Sequence, residues 1–107
     1  MGDRHMIMRE WRGRVPHDKA QAYEAFLHTS GIADYGATPG NRGTWMLIDR
    51  TGDVTEFTLL TLWDSEKAIE AFAGEDIRLA HYYPEDDGFL LEKPKYVRHY
   101  EVRWPRS

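Results

Sequence analysis

Two neighbouring stretches constrain this chain more than any other feature, because each is apolar on both faces at strand periodicity. In Thr44–Asp49, Trp45 and Leu47 fall on one side and Met46 and Ile48 on the other. In Val54–Trp63, Phe57, Leu59 and Trp63 oppose Leu60 and Leu62. Between them Arg50-Thr51-Gly52-Asp53 reads as a hairpin turn, with Gly52 able to take positive φ. An antiparallel ribbon with one wet face alternates apolar and polar residues, and this one does not. Both faces need cover, yet 107 residues suffice for a single core.

The flanking segments supply the first cover. Met6–Arg14 reads as a strand that stops at Val15-Pro16, since proline cannot donate to a ladder. Asp18 is the expected N-cap of a helix over Lys19–Thr29, with Tyr23, Phe26 and Leu27 on one face and Gly31 as its stop. A further turn is expected over Ile32–Tyr35. Asp64-Ser65 caps a second helix that turns Ala68, Ile69 and Phe72 inward. Gly74-Glu75-Asp76 interrupts it, and a shorter helical piece is expected through Ile77, Ala80 and His81 up to Pro84. Glu85–Gly88 reads as a polar loop and Lys95–Trp104 as the last strand.

The order βαββαβ predicts an α+β, ferredoxin-like fold, one antiparallel sheet with two helices on one face. The helices cover one apolar face. A second copy of the chain is the simplest cover for the other, so an isologous homodimer through the sheet faces is expected. The domain spans 6–104, residues 105–107 form a C-terminal tail, and residues 1–5 read as a cloning-derived leader ahead of Met6.

Composition narrows the function classes. A hydrophobic share of 41% with 30% charged residues is that of a globular domain. The net charge of −4, with arginines scattered along the chain, disfavours nucleic-acid binding. The absence of cysteine excludes disulfides, thiolate-bound zinc, iron–sulfur clusters and thiol catalysis, and it suits a cytoplasmic setting. No apolar run is long enough for a membrane span or a signal peptide, so no membrane partner is expected. The glycines are too dispersed for a phosphate loop, and no metal-ligand spacing is present.

Four segments together, Met6-Ile-Met-Arg-Glu-Trp-Arg-Gly13, Pro39-Gly-Asn-Arg-Gly43, Thr61-Leu-Trp-Asp-Ser65 with Ala68 and Phe72, and His99-Tyr-Glu-Val102, resemble the antibiotic biosynthesis monooxygenase family. The likeness runs from Met6 to about Val102. It implies a dimeric α+β barrel, the same assembly that the strand patterning implies. Members include cofactor-free monooxygenases of aromatic polyketides and haem-degrading oxygenases. The haem-degrading branch carries an Asn, a Trp and a His where this chain has Trp11, Phe72 and Tyr82, and His81 is one residue out of register with the expected haem ligand. The polyketide branch places an Asn four residues before the strand-end Trp. Here that residue is Leu59, while Trp63 matches.

His81 is the expected catalytic base, as an inward histidine in an aromatic pocket; the plainer reading is a core histidine. Arg9 and Trp11 share a face of the first strand. A buried Arg9 needs an anionic partner, with Glu10, Glu101 or a partner-chain acid as the plain choice. Tyr35, Phe72 and Tyr82 complete the expected substrate-binding set, and Trp63 reads mainly as a strand-end anchor. Tyr83 and His28 are weaker candidates. His99 and Glu101 share a polar strand face on which catalysis is not expected, and Glu85-Asp86-Asp87 reads as a solvated acidic run.

The leading expectation is a cofactor-independent monooxygenase acting on a small electron-rich aromatic molecule, hydroquinone- or anthrone-like. A non-catalytic dimer that binds a small hydrophobic metabolite is the alternative from another class. Haem degradation is a third reading.

Overall fold

A computed structural model of the chain describes residues 6–103. The leader 1–5, the tail 105–107 and the expected strand end at Trp104 lie outside the described residues. Strand β1 (Ile7–Val15) is followed by a single 3-10 turn at His17–Lys19 and by helices α1 (Ala20–Thr29) and α2 (Gly31–Ala37). Strands β2 (Asn41–Asp49) and β3 (Thr55–Trp63) form a hairpin, α3 (Glu66–Ala73) follows, and β4 (Arg98–Glu101) closes the sheet. The strands lie in the order β2-β3-β1-β4, all antiparallel, which is the ferredoxin-like arrangement.

Cross-strand register decides which side chains meet the helices. Ile7, Arg9, Trp11, Gly13 and Val15 lie opposite Trp63, Thr61, Leu59, Phe57 and Thr55 and share their face. Along β3 every second residue from Thr55 to Trp63 is buried, and those between are half-buried. The core is built from Trp11, Val15, Tyr23, Phe57, Leu59 and Ile69, with Phe26, Phe72 and Phe89 packed against it. The other face carries Met8, Leu60, Leu62 and Tyr100, with Trp45 and Leu47 left 47% and 48% exposed. That apolar sheet face has no cover among the described residues.

Two of the segments that carry the family resemblance touch. Gly40, at φ +96°, lies where an added Cβ would sit 2.4 Å from Cβ of Ala68, so only glycine fits. Its carbonyl accepts from the Asp64 amide at 2.9 Å. Arg42 grips the Asp64 carboxylate through two bonds, 2.7 and 2.9 Å long. The entry to β2 is thereby tied to the start of α3, where Ser65 caps the helix by accepting from the Ala68 amide.

Five local expectations are corrected. Asp18 does not cap α1; it lies in the 3-10 turn, and the residue flanking the helix is Lys19, without a side-chain cap. Gly31 does not stop a helix but starts α2, because the chain breaks at Ser30, whose φ and ψ are −116° and −97°. Gly52 does not take positive φ; the hairpin turn is organised by Asp49, whose Oδ1 accepts from the Thr51 amide and hydroxyl at 2.9 and 2.6 Å. The segment from Ile77 to His81 is not helical. Ile77 and Arg78 form a turn closed by the Leu79 amide on the Asp76 carbonyl at 3.2 Å, and the chain then runs extended, with a bridge between Leu79 and Tyr96, because Ala80 and Val97 donate to the carbonyls of Lys95 and Arg78. The regular last strand is therefore short, Arg98–Glu101, and does not begin at Lys95.

Candidate active site

The extended run before Pro84 sets the site. In extended backbone successive side chains alternate. His81 and Tyr83 turn toward the gap between the sheet and α1–α3, while Tyr82 turns the other way. The helical register that separates His81 from the family's haem-ligand position does not apply here, since His81 lies in irregular extended chain and not in a helix.

The gap is a narrow slot lined by Trp11, Tyr23, Leu27, Gly31, Tyr35, Leu59, Phe72, His81, Tyr83 and Asp86. The space open to a water-sized sphere is about 10 Å³, room for one water molecule. His81 is exposed at its lip, with its ring 5.3 Å from Phe72 and 4.9 Å from Tyr83, edge-on to both. Among the described residues the imidazole makes no hydrogen bond, so both ring nitrogens are available. Phe72, itself half-buried, packs tilted against Tyr35, with ring centres 4.5 Å apart.

Behind this lip lies Arg9, 1% exposed. Its Nη1 donates to the Tyr35 hydroxyl and its Nη2 to the Leu79 carbonyl, each at 3.3 Å, and its guanidinium lies 5.4 Å from the Phe72 ring centre. It forms no ion pair with the described residues. Neither in-chain acid named as its plain partner reaches it. Glu10 lies on the opposite sheet face, bound by the Tyr100 hydroxyl at 2.6 Å and Arg12 at 2.7 Å, and Glu101 pairs with Arg103 at 2.8 Å.

The acidic run also departs from expectation. Asp86 is not solvated but 2% exposed. It accepts from the Tyr23 hydroxyl at 2.8 Å and from the Tyr83 amide at 2.7 Å, while the Tyr83 hydroxyl donates to Asp34. Burial holds the phenols of Tyr23, Tyr35 and Tyr83 above their usual range, reinforced at Tyr23 and Tyr83 by the carboxylates that accept from them. All three stay protonated near neutral pH; Tyr23 and Tyr83 donate to carboxylates, and the Tyr35 hydroxyl accepts from Arg9.

A roomier cleft, about 180 Å³, lies at the start of β4 and is lined by Glu10, Trp11, Arg12, Tyr82, Pro94, Tyr96, Val97 and Arg98. Trp11 is the wall shared with the slot. Tyr82 donates to the Pro94 carbonyl at 2.5 Å, and burial pushes its phenol up to about 12.

The expected site residues thus divide. Tyr35, Phe72 and His81 line the slot, Arg9 lies behind it against Tyr35 and Phe72, Trp11 stands between slot and cleft, and Tyr82 belongs to the cleft. Trp63 is fully buried, donating to Thr61 Oγ1 at 2.7 Å, and reaches neither space. His28 is exposed on α1 and lines neither. Tyr23 and Asp86 are the polar lining residues that sequence reasoning did not place at a site. A carboxylate in a loop gives no local sign that it will be buried by a distant tyrosine. Among the described residues no three His, Asp or Glu side chains are grouped to hold a metal ion.

No family model matches the chain, and no curated protein matches it. Solved structures do. A candidate antibiotic biosynthesis monooxygenase from Nitrosomonas europaea superposes with a TM-score of 0.70 at 19% identity, over 100% of this chain and 99% of that one. A protein from Bacillus cereus given the same description superposes at 0.64 with 16% identity, covering 96% and 98% of the two chains. Rv0793 from Mycobacterium tuberculosis superposes at 0.61 with 18% identity, covering 95% and 97%. The chain has the fold of this monooxygenase group along its whole described length.

Proposed function

We propose that the protein is a cofactor-independent monooxygenase of the antibiotic biosynthesis monooxygenase type, acting on a small electron-rich arene such as a hydroquinone or anthrone. The observation that carries this reading is an unengaged histidine at the lip of a slot that is also lined by Tyr35, whose hydroxyl accepts from the buried Arg9 guanidinium behind it. His81 at the lip removes the proton of the ring hydroxyl or its carbon-acid tautomer. Arg9 and the Tyr35 hydroxyl face the oxygen on which negative charge collects. The electron-rich anion then passes an electron to dioxygen. Recombination and loss of water turn a CH2 of an anthrone into a ketone, one oxygen atom entering the product and the other leaving as water.

A ring needs more room than the slot now holds, so Phe72 and His81, its outermost residues, must swing aside on binding. Trp11 and Leu59 form the apolar floor, and Tyr82 flanks Trp11 from the cleft, with ring centres 6.3 Å apart. The proposal includes no metal or organic cofactor. It includes a homodimer that buries Trp45, Leu47, Leu60 and Leu62 against a second copy, and a cytoplasmic setting. No described helix is long and apolar enough to cross a membrane.

Oxygen uptake with a panel of hydroquinones and anthrones tests the reading. Uptake above the uncatalysed rate, lost at least tenfold in His81→Ala, is the expected result, since a general base contributes roughly 10²–10⁴-fold. No uptake over background on any compound removes it. A second reading, a non-catalytic binder of a small hydrophobic metabolite, is favoured by one observation: the larger cavity lies across Trp11 from His81. Equal ligand affinity in the wild type and His81→Ala, without turnover, supports that reading.

A further inference from the structure

We infer that Arg9, Trp11 and His99 form an interior subsite for the carboxylate of an aromatic acid, so that the ligand of this slot arrives already charged. The inference rests on the reading of the slot as a ring-binding site and names the class of ring it takes; Trp11 lines the slot, and Arg9 and His99 lie behind its lining. Arginine remains cationic at any physiological pH, and a buried cation without an anion is costly. Arg9 has only a phenol oxygen and a carbonyl, both at 3.3 Å, long for a guanidinium whose bonds to carboxylates run near 2.7–2.9 Å. Its Nε is buried and has no partner.

Three further nitrogens share this condition; Asn41 Nδ2 is at the start of β2, on a strand that does not pair with β1, and the other two are neighbours of Arg9. Trp11 Nε1 and His99 Nε2 are buried and unpartnered among the described residues. Arg9 and His99 are direct cross-strand partners, and Trp11 is the next residue along β1 on the same, helix-facing side. Unpartnered buried polar groups are rare in native proteins, and three on adjacent positions of one face, beside an uncompensated cation, describe an anion's complement. The acids nearest in sequence are spent elsewhere, and a second copy docked on the open face of the sheet lies on the far side from Arg9. A neutral phenol brings no charge to this cation. A carboxylate does, and the planar fork of the guanidinium suits its two oxygens.

Benzoate and benzamide have the same shape and differ in charge, which makes them the probes. Binding is followed by calorimetry on the wild type, Arg9→Met and His99→Gln, with thermal melts as the fold control. Met fills a similar volume without charge, so Arg9→Met is expected to fold at least as stably as the wild type. The wild type should bind benzoate about tenfold or more tightly than benzamide. Arg9→Met should lose that preference while keeping its benzamide affinity, and His99→Gln should reduce it. Equal affinity for the two probes in the wild type, a preference that survives in Arg9→Met, or no benzoate binding at millimolar concentration overturns the subsite. The two proposals fail separately. Turnover of neutral hydroquinones with no benzoate preference removes the subsite alone. A benzoate preference without oxygen uptake on any arene removes the oxygenase reading alone.

Discussion

Arg9 and His99 face each other as direct partners across the β1–β4 ladder, on the helix-covered side of the sheet, and neither meets a carboxylate. Burial, and then the neighbouring Arg9 charge, hold the His99 imidazole below its ordinary value of 6.5. The pair therefore has a pH signature. Below pH 6.5 the unfolded chain takes up a proton at this position and the folded chain resists it, so stability falls as pH drops toward the folded pKa. His99→Gln should lose that part of the acid-side slope. Denaturant titrations between about pH 7.5 and about pH 5.5 check this, and an unchanged slope in the variant would show that His99 is not the group. Glu10, held below its ordinary 4.5 chiefly by the Tyr100 hydroxyl and also by Arg12, contributes at more acidic pH and does not confuse the window.

Asp86 ties the 3-10 turn at Pro84–Gly88 to α1 through Tyr23. Tyr23→Phe deletes one charged hydrogen bond from a buried carboxylate and should cost about 2 kcal/mol. Asp86→Ala also leaves the Tyr83 amide without its partner and should cost more. Equilibrium unfolding measures both, and a loss in Tyr23→Phe indistinguishable from zero would mean that water replaces the phenol.

Gly13 is small because Trp11 lies across it. A Cβ at residue 13 would meet the indole at 2.5 Å and Leu90 at 2.8 Å. Gly13→Ala should therefore cost about 1–3 kcal/mol and shift the indole, with a change in tryptophan emission. Since Trp11 walls both slot and cleft, ligand affinity should fall in the same variant. Wild-type stability and emission together would refute this packing.

Leu47 projects from the open sheet face, nearly half exposed, beside Trp45, Leu60 and Leu62. Leu47→Glu places a charge in the proposed dimer contact, where burying it unpaired is prohibitive. Sedimentation should show a dimer for the wild type and a single-chain mass for the variant, with helix and strand content retained. A wild-type mass of one chain removes the dimer.

The βαββαβ order, the two helix faces and the double-sided apolar hairpin were legible in the residues, because each is a local periodicity: alternation at Trp45–Ile48, helical spacing at Tyr23–Leu27, a cap at Ser65. The pattern also separated the face of Leu60 and Leu62 from that of Phe57, Leu59 and Trp63, since a strand's side chains alternate whatever it pairs with. Of the residues singled out for a site, Tyr35, Phe72 and His81 line one slot with Arg9 behind them, but the slot's shape was not legible. The path of Ile77–His81 depends on backbone bonds to Lys95 and Val97, formed between segments far apart in sequence, and these override its helical spacing. Burial of Asp86 depends on Tyr23, and the isolation of Arg9 on where Glu10 and Glu101 turn. Periodicity is a property of neighbours along the chain and can be read from the sequence. Charge compensation and cavity shape belong to contacts that exist only after the strands have paired, and only the tertiary structure decided them.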